Sequence, residues 1–261
     1  MDPLPASWHM AIAIRTSRRS FHSRRPEEDK LTRLEKVCRE FRPFPGARAE
    51  LVRKPPDEVF RGLIGGYGRI TGASFYMAFI GALDAPQAAE AVGYTGEGLI
   101  LEATMLGLGT CWVSGFFRPA AVRSHLSLPD GERVFAVTPV GYAERVLTVK
   151  DKVYRTLARS ARRKPLEDLL EGPLAEPWQR SAVEAARLAP SASNRQPWRF
   201  VPAAGSITVR TDGGADAGRF PKRLDCGIAM MHVELGALSA GAPGRWTLLS
   251  APDVARYDVS S

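Results

Sequence analysis

Slid along itself by 134 positions, the sequence meets its own residues again: Gly93 with Gly227, Leu101 with Leu235, Ala103 with Ala237, Gly107 with Gly241, and Trp112 with Trp246. The five coincidences fall in one gap-free stretch, a helix rich in small residues that ends in glycine and leads to tryptophan. Self-similarity at a fixed spacing marks a repeated unit, and a unit that cannot bury its apolar face alone buries it against its copy. The chain is therefore expected to be two related halves, residues 11–172 and 173–261, meeting near Gly172–Pro173. At 261 residues, one large domain or two small ones could enclose a core.

Hydrophobic periodicity places the elements. Glu27–Phe41 reads as a helix with Leu31, Leu34, Val37 and Cys38 at helical spacing, and a loop rich in Pro, Gly and Arg follows as far as Pro56. "SFYMAFIGAL" (74–83) is aromatic and apolar, which predicts a buried strand. "GEGLILEATMLGLG" (96–109) reads as a helix buried on most faces and stopped by glycines. "RVFAVTPVGYAE" (133–144) is a second strand, and the basic run Leu147–Leu170 an arm rather than a core element. In the second half, "EPWQRSAVEAARLAPS" is a helix ending at Pro190 and "SITVRTD" a short strand. "DCGIAMMHVELGALSAG" is a helix with Ile228, Met231, Leu235 and Leu238 on one face.

Composition excludes several classes. Hydrophobic residues at 44% and charged residues at 25% are ordinary for a soluble globular protein. No apolar run reaches the roughly 18 residues of a membrane span. The opening "MDPLPASWHM" lacks a basic stretch followed by an apolar one, so no secretory signal is expected. Cys38, Cys111 and Cys226 lie far apart in no metal or redox spacing. Reduced cytoplasmic thiols are expected, with no disulfide and no zinc. The net charge of +8 suits a phosphorylated ligand or a nucleic acid. The basic residues are scattered, apart from short clusters at Arg15–Arg25 and Arg159–Lys164, and they form no aromatic-interleaved basic stripe, so nucleic acid is not expected as a partner.

Three stretches carry groups suited to a ligand. In "SRRSFHSR" (17–24), Arg18, Arg19 and Ser20 offer guanidinium forks and a hydroxyl that grip a phosphate or a polar ring edge; a solvated basic tail is the plainer reading. In "GLGTCWVSGF" (107–116), glycines let the backbone approach a flat ligand, or simply cap a helix. "PSASN" (190–194) follows a helix with hydroxyls and an amide, suited to capping or to hydrogen bonds with a ring. His9, His22, His125 and His232 have no carboxylate or serine partner at a telling spacing. His232 reads as a core-edge or solvated histidine. Neither a catalytic triad nor a metal site is expected, and chemistry done by a cofactor needs neither.

Together, "AARLAPSASNRQPWRF" (185–200), "SRRS" and "LGLGTCWVSGF" resemble the FMN-dependent nitroreductase family, in the form that fuses two family domains in one polypeptide. The resemblance spans Arg15–Leu170 and Pro173–Val254. It implies an α+β, three-layer α/β/α fold whose two repeats pack as an intramolecular pseudo-dimer. In the family, one subunit gives a site its RRS segment, the turn after the central helix and a basic C-terminal stretch; the other gives a P-S-x-x-N segment. Here the first half has Arg18-Arg19-Ser20, Trp112–Gly115 and Arg162-Arg163, but "RPFPGARAELVRKPP" where P-S-x-x-N would stand. The second half has Pro190–Asn194 but "GAPGRW" in place of "GLGTCW". The resemblance thus implies one FMN site per chain and a chain able to be monomeric.

By that resemblance Arg18, Arg19 and Arg163, with Arg162 beside them, would bind the FMN phosphate, and Arg69 would lie on the ribityl–phosphate side. Ser20 would meet the polar edge of the ring. Trp112, Val113, Ser114 and Gly115 would lie against the isoalloxazine, and Pro190, Ser191, Ala192, Ser193 and Asn194 would cover it from the other half. His22 stands where the family commonly has Arg or Lys, and Gly66 where some members carry an amide. The implied activity is hydride transfer from NADH or NADPH, through flavin N5, to a small acceptor such as a nitroaromatic or a quinone. The flavin, rather than a catalytic side chain, carries that chemistry. The alternative is a flavin-binding protein without turnover, a sensor or a carrier.

Overall fold

The computed structural model describes residues 4–61, 70–144, 162–213 and 221–260. Helix α1 (Ala6–Ile14) precedes the amphipathic α2 (Glu28–Glu40). The latter buries Leu31, Leu34 and Cys38 and carries Glu28 and Asp29 at its positive N-terminal end. Next come β1 (Ala47–Val52), α3 (Asp57–Phe60), β2 (Phe75–Ala82), α4 (Ala88–Met105), β3 (Val113–Ser114), α5 (Pro119–Arg123) and β4 (Glu132–Val140). The strands form one antiparallel sheet in the order β1-β2-β4-β3. Side chains alternate across a strand: Phe75, Met77 and Phe79 enter the main core. Tyr76, Ala78 and Ile80 enter a second core with Val59 and Phe60 of α3 and Val122 of α5. This sheet is covered on both faces, as three layers require.

The second half supplies α6 (Pro177–Arg187), a 3₁₀ turn (Ala192–Asn194), β5 (Trp198–Ala203), β6 (Ser206–Thr211), α7 (Lys222–Ser239), β7 (Gly244–Leu248) and β8 (Asp253–Val259). Its sheet is again antiparallel, in the order β5-β6-β8-β7. That is the strand order of the first sheet. Trp198, Phe200, Ile207, Val209 and Tyr257 feed the main core. Arg199, Val201, Thr208 and Arg210 on the other face are partly exposed. Among the described residues this half is therefore two layers thick.

The long helices carry the correspondence between the halves. Both α4 and α7 have 18 residues, and their ends stand 134 positions apart. Both stop at a glycine with φ of 75°, Gly107 and Gly241, a backbone region open to glycine at no steric cost. Gly107 N–H donates to Thr104 O and Leu108 N–H to Ala103 O; Gly241 N–H donates to Leu238 O and Ala242 N–H to Ala237 O. The second pair of bonds is the first, shifted by 134. Where the helices cross, a Cβ on Gly93 would lie 2.1 Å from Leu224 O, and one on Gly227 would lie 2.1 Å from Glu90 O. Positions 90 and 93 correspond to 224 and 227, so the contact is reciprocal, as in an isologous two-fold interface.

Several elements differ from the sequence reading. Helix α4 begins at Ala88, well before Gly96, because Gly93, Gly96 and Gly98 mark close packing rather than helix ends. Helix α7 is buried throughout Leu224–Ala237, not along one face, since α1, α4, α6 and strands β5, β6 and β8 surround it. The stretch read as a loop before Pro56 contains β1, whose pattern A-R-A-E carries too little apolar contrast to announce a strand. Strand β5 escaped notice because it contains Pro202, tolerated at the sheet edge it occupies. The end of the basic arm belongs to the core: Leu169 is fully buried, and Phe200 N–H donates to its carbonyl at 2.8 Å. Residues 147–161 of that arm lie outside the described residues. Among the described residues no helix is long and apolar enough to cross a membrane, no group of side chains could hold a metal, and Cys38, Cys111 and Cys226 are free and buried.

Candidate functional site

A cleft of about 340 Å³ opens between the halves. One wall is the segment that follows α1, tied to the sheet by bridges from Ser17 to Thr110 and from Ser20 to Thr71. Arg15, Ser17 and Arg19 line the cleft, and Arg18, Ser20 and His22 are not among its lining residues. Arg18 Nη1 instead reaches Glu144 O at 3.4 Å, and His22 forms a half-exposed ion pair with Glu144 at 3.2 Å. Of Arg18, Arg19 and Ser20 only Arg19 faces the cleft, and its companions are Arg15 and Ser17. An extended segment alternates its faces, and a run as uniformly polar as R-T-S-R-R-S hides which face points inward.

Arg15 is the C-cap residue of α1, its N–H donating to Ala11 O at 2.8 Å. Its side chain is 7% exposed, with Nε 3.7 Å from Glu97 Oε1, and that Nε makes no hydrogen bond among the described residues. Glu97 is fully buried. Its Oε2 accepts from Trp112 Nε1 at 2.7 Å, and its Oε1 faces His232 Nε2 at 3.0 Å. His232, also fully buried, turns Nδ1 to Ala185 O at 3.0 Å. His232 thus has the carboxylate partner that its sequence surroundings did not show, since the partner stands 135 positions away.

Beyond Trp112 the chain turns into β3. Trp112 packs on Phe79 with ring centroids 4.7 Å apart, and Cys111 N–H donates to Thr138 Oγ1 at 2.9 Å. Cys111, Trp112 and Ser114 line the cleft; Val113 and Gly115 are not among the lining residues. Val113 sends its side chain into the second core, and Gly115 has φ of 76°.

The opposite wall is the loop Pro190–Asn194, every residue of which lines the cleft. Ser193, Asn194 and Gln196 have φ of 51°, 54° and 49°, a left-handed region that costs non-glycine residues free energy and is kept only where neighbours enforce it. The enforcement is visible. Asp225 accepts from Ala192 N–H at 3.2 and 3.3 Å and from Arg195 Nε at 2.8 Å, while Ser191 Oγ accepts from Gln196 N–H at 2.9 Å. Arg163 Nη1 donates to Asn194 Oδ1 at 2.6 Å and Nη2 to Leu188 O at 3.1 Å. Burial, reinforced by the nearby charges of Arg15 and Arg187, lowers the Arg163 guanidinium to about 10. Arg162 is exposed, and its carbonyl accepts from Asn194 Nδ2 at 2.7 Å. Arg69 and Gly66 lie outside the described residues. Asp225, Ser17 and Arg15 carry no motif of their own, and α1, which positions Arg15, is short and nearly uniformly apolar. The cleft sets three guanidiniums from the first half against a hydroxyl- and amide-bearing loop from the second, with apolar Ile12, Ile14, Leu224 and Ile228 between them. Such a site suits a flat molecule with an anionic group.

The chain is thus an α+β protein of two like-ordered antiparallel sheets with a basic cleft between its halves. Residues 9–237 match the family model described as "Putative TM nitroreductase", and the chain belongs to that family. A "putative nitroreductase" from Thermotoga maritima MSB8 has the same fold, with a TM-score of 0.66 at 22% identity over 97% of this chain and 94% of its own. An FMN-dependent nitroreductase from Clostridium difficile R20291 is 19% identical over 52% of this chain and 87% of its own, with a TM-score of 0.45. A nitroreductase with bound FMN from Bacteroides fragilis NCTC 9343 is 16% identical over 55% of this chain and 91% of its own, with a TM-score of 0.44. No curated protein matches the chain.

Proposed function

We propose that the chain binds one FMN in this cleft and passes reducing equivalents from NADH or NADPH to a small acceptor such as a nitroaromatic or a quinone. The observation that carries the reading is the convergence of three guanidiniums, Arg15, Arg19 and Arg163, on one cleft that the loop Pro190–Asn194 also lines. Like charges gathered in one cleft repel, and a phosphate dianion supplies acceptors and countercharge to them together. Membership of a nitroreductase family supports the same cofactor. Arg15, Arg19 and Arg163 would hold the phosphate, and Ser17 a polar group beside it. Trp112 and Ser114 would flank the ring from one half and Pro190–Asn194 from the other. FMN, when bound, supplies the hydride chemistry, so the protein needs to provide position, charge and a dry wall rather than a nucleophile. Ile12, Ile14 and Ile228 supply apolar surface that excludes water.

We further read residues 11–172 and 173–261 as repeats folded into an intramolecular pseudo-dimer, and the protein as a monomer. The shared strand order and the reciprocal glycine crossing support this. Beside Trp246, the counterpart of Trp112, no cleft like the first is expected. Tyr94 and Trp246 both donate to Glu234, at 2.5 and 2.8 Å, and the Tyr94 ring packs on Phe44 and Phe41. The test is the absorbance of the purified protein. A flavin band that NADH or NADPH bleaches without air, and that a nitroaromatic, a quinone or air restores, is expected. A colourless protein that takes up no added FMN would overturn the reading. A bound flavin that neither nicotinamide reduces would leave a carrier or sensor instead.

A further inference from the structure

Buried polar groups are tolerated when each is satisfied, and the Glu97–His232 pair meets that condition in an informative way. The Ala185 carbonyl can only accept, so His232 Nδ1, 3.0 Å from it, carries a hydrogen. The other ring nitrogen faces a carboxylate oxygen at 3.0 Å, so one proton lies between ring and carboxyl whichever of the two holds it. The pair is neutral in either form. With Arg15 beside it, the cluster carries one net positive charge at the wall of the cleft.

The correspondence between the halves provides an internal control. Shifted by 134, the pair Glu97–His232 becomes Met231–Gly98. There a Cβ on Gly98 would lie 3.1 Å from Met231 Cε, so an apolar contact joins the same two helices. Packing α4 against α7 therefore requires no polar pair. The polar version occurs on the side that holds the cleft, where Glu97 reaches Trp112 and Arg15, both lining residues.

We propose that Glu97 and His232 are positioning residues of the cleft. His232, anchored on Ala185, fixes Glu97 through the shared proton, and Glu97 fixes the Trp112 indole and the Arg15 guanidinium for the cofactor. The proposal rests on the FMN reading above, and its test separates the two. FMN is titrated into the flavin-free full chain of the wild type, Glu97→Gln, Arg15→Ala and the double variant. Glu97→Gln is expected to weaken binding about tenfold, the scale of a hydrogen bond to a charged group. The double variant should bind no more weakly than Arg15→Ala, because a guanidinium already removed cannot be misplaced. Losses that multiply, or a Glu97→Gln protein that binds FMN like the wild type, would overturn the proposal. His232→Asn keeps a donor for Ala185 and removes the nitrogen that faces Glu97, so it gives the same cycle if Glu97→Gln fails to fold. In flavin-free wild type, nitrogen NMR of the histidines should show an exchange-protected His232 Nδ1–H and an Nε2 signal that moves in Glu97→Gln. A His232 ring exchanging freely with solvent would sink the shared proton, whereas a wild type that binds no FMN but shows those signals would sink the flavin reading alone.

Discussion

Replacing Gly93 by alanine would put a methyl carbon 2.1 Å from Leu224 O and 3.1 Å from Ile228 N, both backbone atoms with no rotamer to yield. Non-bonded contacts settle near 3.5 Å, so α4 and α7 must part by about 1 Å at the crossing. Overpacking of this kind costs about 1–3 kcal/mol, and a gap of that size forfeits a quarter to a half of each dispersion contact along the crossing. Alanine returns about 0.5–1 kcal/mol of helix propensity. The expected net loss is about 2 kcal/mol, a fall in Tm of about 4–8 °C for a chain of this size. Urea unfolding followed by far-UV circular dichroism, with calorimetry for Tm, measures it. The reciprocal contact makes Gly227→Ala an independent copy of the experiment, since its Cβ would lie 2.1 Å from Glu90 O. A variant as stable as the wild type, or a large loss in one and none in the other, would refute the paired crossing.

Arg15→Ala should weaken FMN binding about tenfold to a hundredfold, as expected for a charge-assisted phosphate contact. Arg18→Ala, outside the cleft lining, should change it by no more than about twofold; fluorescence titration of flavin-free protein that reversed this order would make Arg18 rather than Arg15 the phosphate ligand. Asp225→Asn removes the countercharge of Arg195 and loosens the left-handed turns of the loop, so faster proteolysis near Ser193 and weaker FMN binding are expected, and a protein unchanged in both would show that the loop holds its own shape. Burial pushes the Cys38 thiol up to about 12 and raises Cys226 as well, so both should resist a disulfide reagent at neutral pH until the protein unfolds. Cys111→Ser should keep flavin and turnover together; retained flavin with lost NAD(P)H oxidation would make that thiol part of the chemistry.

The likeness of α4 and α7 was legible because helix–helix crossings select small residues, and Gly93 and Gly227, like Gly107 and Gly241, stand 134 positions apart at the crossing and at the helix ends. The loop Pro190–Asn194 was legible for a similar reason: its residue types suit the tight turns that the backbone makes there. Arg15 and Ser17 were not, because the register of a short polar strand is set by its pairing with Thr110 and Thr71, which sequence order does not reveal. Asp225 looked like an ordinary residue at a helix start, and its role follows from a loop thirty-odd positions earlier. Glu97 and His232 were hidden by distance along the chain. Each belongs to a helix rich in apolar and small residues, and neither makes sense until the two helices are laid together.

Flavin stoichiometry, read together with molecular mass, tests the central claim most directly. FMN released by denaturation is quantified against protein concentration, and light scattering gives the mass of the native particle. Arg15, Arg19 and Arg163, the last bonded to Asn194, meet Pro190–Asn194 in one cleft between the two halves of a chain. The expected result is one FMN per chain in a particle of 28.5 kDa. Two FMN per chain would contradict the loss of the second site, and a stable dimer that gives up its flavin when the chains separate would show that the cleft is completed between molecules rather than within one.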